Sequence, residues 1–293
     1  MYPSRFEYLP ARSVEEAVGA LAGYGHEAKV LAGGQSLIPM MKLRLATPRV
    51  LIDISRLTHL AEVREVGPDL LIGAMVSEAA LERSAVAGRW APGLVDTSRV
   101  IADPLVRNLA TVGGNAAHGD PANDHPATLV AAGASFTLVG PAGSRTVPSG
   151  DFFVDVFATA LEPDEILTEI VVPKQKAGTG IAYVKYERQV GDYAIAGAAA
   201  YVESGDLSTI THTRIALTNL GPVPIRAVEA ESLLRGRAPT RRLFDQAGRV
   251  AATAAQPWSD MRGSAEYRRR VAAMVTRQAL RKAWKRAGHG HHG

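Results

Sequence analysis

Two glycine pairs stand where main-chain chemistry could occur. Gly33-Gly34 follows an apolar run and precedes Gln35-Ser36, and Gly113-Gly114 sits between Thr111-Val112 and Asn115. Glycine lets peptide N–H groups approach a ligand closely, and successive N–H groups can form a nest for phosphate oxygens. Two such turns could neutralise a diphosphate from two sides. Each alone is also an ordinary tight turn. No G-x-G-x-x-G follows a strand and no P-loop signature occurs, which disfavours those two nucleotide sites.

A second polar concentration is Asp120-Pro121-Ala122-Asn123-Asp124-His125-Pro126. It could grip ribose hydroxyls, or simply be a turn fixed by Asp and Pro. No further ligands at matching spacing accompany Asp120 and Asp124, so no metal site is expected. A third region, Gly191-Asp192-Tyr193-Ala194, opens a strand built almost wholly of Ala, Gly and Ile. Such small residues leave room for something bulky against a sheet. Tyr193 at its mouth could stack on a flat ring, or be an ordinary core tyrosine. Lys185 precedes it, and a lysine there could face a ring edge or a phosphate, although a surface lysine is the commoner explanation. No G-x-S-x-G motif or evident serine–histidine partnership supports hydrolysis.

The elements that must hold these residues are partly legible. Ser13-Val14-Glu15-Glu16 reads as a capping box opening a helix, ended by Gly23 and Gly25. Strands are expected at 28–32 and 50–54, making a β-α-β-β unit. Another strand is expected at 70–75, with Ser77 capping a mainly helical stretch over 77–110. Strand-like runs at 135–139 and 166–172 follow, separated by turns at Gly140-Pro141 and Pro163-Asp164. Residues 174–180 are polar and glycine-containing, which suits a domain boundary. Beyond it three strands (181–186, 194–202, 211–218) precede helices over 226–286.

Composition narrows the class. The 293 residues are 46% hydrophobic and 21% charged, as in an ordinary globular protein, and none is cysteine. The chain therefore cannot supply cysteine ligands to an iron–sulfur cluster or a thiolate zinc site. No apolar run reaches membrane-spanning length and no secretory signal core is evident, so a cytoplasmic location is expected. Net charge is +4, but residues 223–293 hold 15 Lys+Arg against 5 Asp+Glu, whereas residues 1–222 hold 18 against 24. The basic region could meet nucleic acid, an acidic membrane face or an acidic partner, or be a solvated helical face. The terminal His289-Gly290-His291-His292-Gly293 is expected to be a flexible tail.

Four segments, in order, resemble the FAD-binding subunits of molybdenum hydroxylases: VLAGGQSLIPMMKLRL (30–45), TVGGN (111–115), RQVGDYAIAGAA (188–199) and SDMRGSAEYRRRV (259–271). Within that family, residues 101–127 and 215–225 look more like the branch that serves aerobic carbon monoxide dehydrogenases than the purine-oxidising branch. Gln35, His118 and His125 depart from the expected residues.

The resemblance implies an α+β fold. A vanillyl-alcohol-oxidase (PCMH)-type FAD domain would occupy residues 1–177 in two lobes (about 1–56 and 57–177). A C-terminal domain at 178–286, with a three-stranded antiparallel sheet and a helical bundle, would follow. FAD would lie between the lobes and the C-terminal domain. By the same resemblance Val30, Leu31, Ala32, Gly33, Gly34, Gln35, Ser36 and Leu37, with Thr111, Val112, Gly113, Gly114 and Asn115, form the diphosphate loops. Ile101 packs on the cofactor, Asp124 holds ribose or adenylate hydroxyls, Leu167 and Lys185 approach the isoalloxazine, and Tyr193 covers one ring face.

The implied partners are a small subunit with [2Fe–2S] clusters and a large subunit with molybdenum cofactor and copper, in a dimer of heterotrimers (a heterohexamer). Electrons would leave to a quinone-type acceptor, with possible contact at the inner membrane face. The competing readings are a flavin subunit acting with another substrate (an N-heterocycle or purine), and a nucleotide- or nucleic-acid-binding module without redox work.

Overall fold

The computed structural model describes residues 2–288. The histidine-rich stretch at 289–293 lies outside the described residues.

The first lobe is a three-stranded parallel sheet in which Val50–Asp53 lies between Glu7–Pro10 and Ala28–Leu31. Helix Val14–Tyr24 covers it and buries Val14, Ala17, Val18 and Leu21, the apolar stripe of its sequence. Ser13 Oγ accepts from the Glu16 N–H, as a capping box requires. The Glu16 carboxylate, however, accepts from the Arg12 N–H rather than from that of Ser13. Gly25, at φ +55°, ends the helix, whereas Gly23 lies within its last turn.

The second lobe holds a five-stranded antiparallel sheet ordered Val63–Val66, Asp69–Gly73, Ile166–Pro173, Ser135–Gly140, Gly143–Pro148. The expected helical stretch is four short helices, Glu78–Arg83, Ala85–Trp90, Pro92–Val100 and Pro104–Leu109. Ser77 caps the first by accepting from the Ala80 N–H, as its sequence position predicts.

The C-terminal sheet contains the three expected antiparallel strands, Thr179–Tyr186, Ala196–Glu203 and His212–Thr218. A fourth, Ile225–Arg226, adds to its edge. This strand is two residues long and follows Pro222 and Pro224, too short to show any alternation in sequence.

The small residues of the central strand do make room, but for a helix. Ala196, Ala198 and Ala200 share a core with Ala272, Val275, Ala279 and Ala283 of helix Ala265–Gly288. The approach is close: a Cβ on Gly180 would lie 2.1 Å from the Ala283 carbonyl oxygen. On the sheet's other face Tyr183, Ala199 and Ala216 join the core of the second lobe, so that core is continuous across the linker 174–180.

The excess charge of the C-terminal helices is largely matched at a distance. Arg286 grips Asp96 through both of its terminal nitrogens, and Lys282 reaches the same carboxylate at 2.8 Å. Arg277 and Arg281 share Asp245, and the buried Arg268 holds Asp260 and the Ile195 carbonyl. These pairs favour the bland reading of the basic region over a nucleic-acid surface.

Candidate functional site

A crevice of about 600 Å³ runs between the first and second lobes, within the size range of small-molecule sites. One wall is the end of strand Ala28–Leu31 and the turn after it, contributing Val30, Ala32, Gly33, Gly34, Gln35, Ser36 and Leu37. The other carries Ala74, Thr111, Gly113, Gly114, Asn115 and Leu167. Twelve of the eighteen sequence-nominated residues thus line one cavity. Leu31, Ile101, Val112, Asp124, Lys185 and Tyr193 do not line it.

The two glycine pairs do different work. In the first, Gly34 sits at φ +71° and reverses the chain into a short helix, Leu37–Lys42. Among the described residues, the N–H groups of Gly34, Gln35, Ser36 and Leu37 have no hydrogen-bond partner, so the turn presents four unspent donors to the crevice. Gly33 is needed for another reason: a Cβ there would fall 2.1 Å from the Leu109 carbonyl oxygen. It is one of the places where the lobes touch.

The second pair is not a loop. Thr111 caps helix Val112–His118, and both glycines lie in its first turn. Their amides are spent inside the protein: Val112 N–H donates to Val76, Gly113 to Ala74, Gly114 to Thr111 Oγ1 and Asn115 to the Thr111 carbonyl. The expectation of two matching amide nests is thereby corrected. Gly113 permits contact with Ala74, whose Cβ would be 2.4 Å from one on residue 113. A Cβ on Gly114 would stand 2.8 Å from Thr111 Oγ1, the helix cap, and 3.8 Å from the Ala32 methyl across the crevice, so glycine spares the cap and leaves that wall without a side chain. Asn115 adds a buried side-chain oxygen, Oδ1, with no partner among the described residues.

The polar stretch at 120–126 resolves mostly into structure. Asp120 accepts from the Ala122 N–H, forming the turn that Asp and Pro suggest. Asn123 lines the crevice and donates to the Asn115 carbonyl. His125 is fully buried, 2.7 Å from the equally buried Glu78, with Ser98 on the same carboxylate. This grouping has the residue types of a hydrolytic triad, but no surface for a substrate to reach.

Asp124 is buried and does not line the crevice. Its Oδ1 accepts from the Tyr183 hydroxyl at 2.5 Å and its Oδ2 from Lys185 Nζ at 3.1 Å. Burial pushes the Asp124 carboxyl up, opposed by Lys185 and the Tyr183 hydrogen bond. Lys185 also donates to the Val100 carbonyl at 2.8 Å and pairs with Glu187 at 3.0 Å. Both oxygens of Asp124 and the Lys185 ammonium are therefore engaged within the protein. Tyr193 is 46% exposed, with the Arg262 guanidinium 5.4 Å from its ring centre.

Sequence reasoning missed crevice residues that come from distant segments. Among them are Met75, Phe157 and Glu165, and no local pattern marks any of the three. In sequence His118 stands out only as a departure from the family pattern. It lines the crevice beside Phe157, and burial lowers its pKa against the pull of Asp120. Glu165 is held by both Nε and Nη2 of Arg145 at 2.7 Å, and that pairing lowers its pKa.

These features fit a flavin dinucleotide. The four unspent amides suit a diphosphate, and the buried Asn115 Oδ1 lacks a donor.

Comparison with known proteins agrees. A family model described as "FAD binding domain in molybdopterin dehydrogenase" matches residues 4–175, and one described as "CO dehydrogenase flavoprotein C-terminal domain" matches residues 181–283. The carbon monoxide dehydrogenase medium chain of Hydrogenophaga pseudoflava is 45% identical over 98% of this chain and 99% of its own length. The 6-hydroxypseudooxynicotine dehydrogenase complex subunit alpha of Paenarthrobacter nicotinovorans is 35% identical over 98% and 97%. A solved carbon monoxide dehydrogenase chain from Hydrogenophaga pseudoflava superposes with a TM-score of 0.94 at 47% identity, covering 97% of this chain and 99% of that one. The architecture is therefore the PCMH-type FAD domain followed by the flavoprotein C-terminal domain, and the chain belongs to the family of FAD-binding medium subunits of molybdenum hydroxylases.

Proposed function

We propose that this chain is the FAD-carrying electron-transfer subunit of an aerobic carbon monoxide dehydrogenase. The observation that carries the reading is the crevice whose one wall offers four unspent amides, in a chain 45% identical along its length to a carbon monoxide dehydrogenase medium chain. FAD, when bound, supplies the redox chemistry, exchanging single electrons on one side and an electron pair on the other.

The protein binds and orients. The N–H groups of residues 34–37 hold the diphosphate. Thr111 and Asn115 of the opposite wall bear on the ribose or diphosphate. Ala32, Ala74 and Leu167 line the crevice with apolar surface and exclude water. Lys185 and Asp124, which do not line it, hold the framework, and Tyr193 and Ile101 cover the ring.

In the assembled enzyme, carbon monoxide and water become carbon dioxide, two protons and two electrons on a large subunit with molybdenum and copper. The electrons reach this subunit through the [2Fe–2S] clusters of a small one and leave to a quinone-type acceptor. A dimer of heterotrimers, inside the cell and touching the inner membrane face, completes the proposal.

An absorbance scan of the purified full chain after gel filtration tests it. Flavin bands that co-elute with the protein, or appear after FAD is added, are expected. A folded chain that stays colourless in excess FAD refutes it.

A further inference from the structure

Between helices Pro92–Val100 and Pro104–Leu109 the chain makes a turn that it would not hold unaided. Ala102 lies at φ +43°, a left-handed backbone region that L-residues other than Asn and Asp rarely adopt. Alanine has no polar side chain to offset that locally, unlike Asn219, which also has a positive φ. Such strain persists only where the surroundings over-determine it.

Here they do, through three consecutive carbonyls. Lys185 Nζ donates to Val100 O at 2.8 Å. A single nitrogen of Arg107, Nη1, donates to Ile101 O at 3.1 Å and to Ala102 O at 3.2 Å. Neither cation is a loose surface group. The Lys185 side chain is 2% exposed and lies between Asp124 and Glu187, and the Arg107 side chain is 14% exposed with its Nε on Glu82 at 3.2 Å.

The turn then supports a second one. A Cβ on Gly191 would stand 2.9 Å from the Ala102 carbonyl oxygen, so residue 191 can rest there only as glycine; it too has a positive φ, +87°. Tyr193 follows two residues later. The helix that carries Arg107 runs on to Leu109 and Ala110, which abut Gly33 in the crevice wall.

We propose that Arg107 is a positioning residue for the flavin ring. With Lys185 it holds the strained Ile101–Ala102 turn against Gly191, and so sets where Ile101 and Tyr193 meet the isoalloxazine. This rests on the FAD reading above. Arg107 contacts neither ring nor phosphate in the proposal; it acts through the two carbonyls.

The full chain is compared with Arg107→Lys, which keeps the charge but has one nitrogen, where the guanidinium uses Nε for Glu82 and Nη1 for the two carbonyls, and so cannot serve all three from the same position. Three quantities are read: FAD affinity by fluorescence titration, the visible circular dichroism of bound flavin, and the urea midpoint of the FAD-free chain. FAD should bind about tenfold more weakly, as the loss of one charge-assisted hydrogen bond implies. The dichroism bands should change. The urea midpoint should move little, because relaxing Ala102 returns the strain those bonds had held. Adding Ala102→Gly to Arg107→Lys should restore much of the dichroism, since glycine adopts positive φ at no steric cost.

Unchanged affinity and dichroism in Arg107→Lys overturns the proposal. A fall in the urea midpoint that accounts for the whole affinity loss, with unaltered dichroism of the flavin still bound, also overturns it and leaves Arg107 a folding residue. A wild-type chain that binds no FAD instead defeats the flavin reading itself, and this inference with it.

Discussion

Replacing Gly33 by alanine should harm the protein more than replacing Gly34, although Gly34 is the one with left-handed backbone. At residue 34, alanine meets φ +71° and a Cβ 2.7 Å from Ile38 Cδ1, the end of a flexible side chain that can turn away. The cost is then mainly the backbone term, about 1 kcal/mol. At residue 33 the φ is ordinary, but the new Cβ falls 2.1 Å from the Leu109 carbonyl oxygen and 2.8 Å from its carbon. No rotamer change relieves an overlap with backbone, so the turn and the Leu109–Ala110 segment must part by roughly an ångström, at about 2–3 kcal/mol.

That movement displaces one crevice wall relative to the other, so FAD affinity should fall at least tenfold as well. Urea unfolding of the full chain, read with an FAD fluorescence titration, gives both numbers. Equal costs at the two positions, or a larger one for Gly34→Ala, would refute the assignment of Gly33 to lobe contact and Gly34 to chain reversal.

Three further outcomes are expected. Gly114→Trp places an indole where a Cβ would stand 2.8 Å from Thr111 Oγ1 and 3.8 Å from the Ala32 methyl, so flavin retention should vanish; retained FAD tells against the gap as the binding space. Asp96→Asn removes the carboxylate that holds Arg286 and Lys282 to the second lobe. With Asp96 buried but Lys282 partly solvated, the urea-derived stability should drop by about 2 kcal/mol, and no change would mean the pairing is idle. His118, depressed by burial, should titrate by NMR below its usual 6.5 in the FAD-free chain. Because the unfolded chain takes up that proton first, the stability His118 contributes is present above pH 6.5 and declines as pH falls from there toward its folded value; a midpoint at or above 6.5 contradicts this.

Local signals in the sequence were readable where a few adjacent residues decide the structure. Ser13, Ser77 and Gly25 mark helix ends because capping is a matter of three or four residues. The helix Leu37–Lys42 was not readable: it is six residues long and contains Pro39, so it lacks both length and period. Nor was the helical state of Gly113-Gly114, since two glycines argue against helix. Tertiary contact overrides that propensity, because only residues without side chains can lie against Ala74.

The order of the parallel sheet, with its last strand central, depends on pairing across more than forty residues. The basic C-terminal region shows the same limit. Its arginines look unpartnered in sequence because Asp96 is 190 residues from Arg286. Among the site residues, those on the two glycine segments were legible because adjacent residues form each wall. The engagement of Asp124 by Tyr183 and Lys185 was not, since it needs the register of the C-terminal sheet on the second lobe.

The central claim is that the unspent amides of residues 34–37 grip the diphosphate of FAD in the crevice between the lobes. A crystal structure of the full chain with FAD tests it most directly. The account predicts diphosphate oxygens within hydrogen-bonding distance of the Gly34 to Leu37 N–H groups, with the cofactor continuing past Gly114. Diphosphate bound elsewhere, or those four amides turned to other partners while FAD is present, would contradict it.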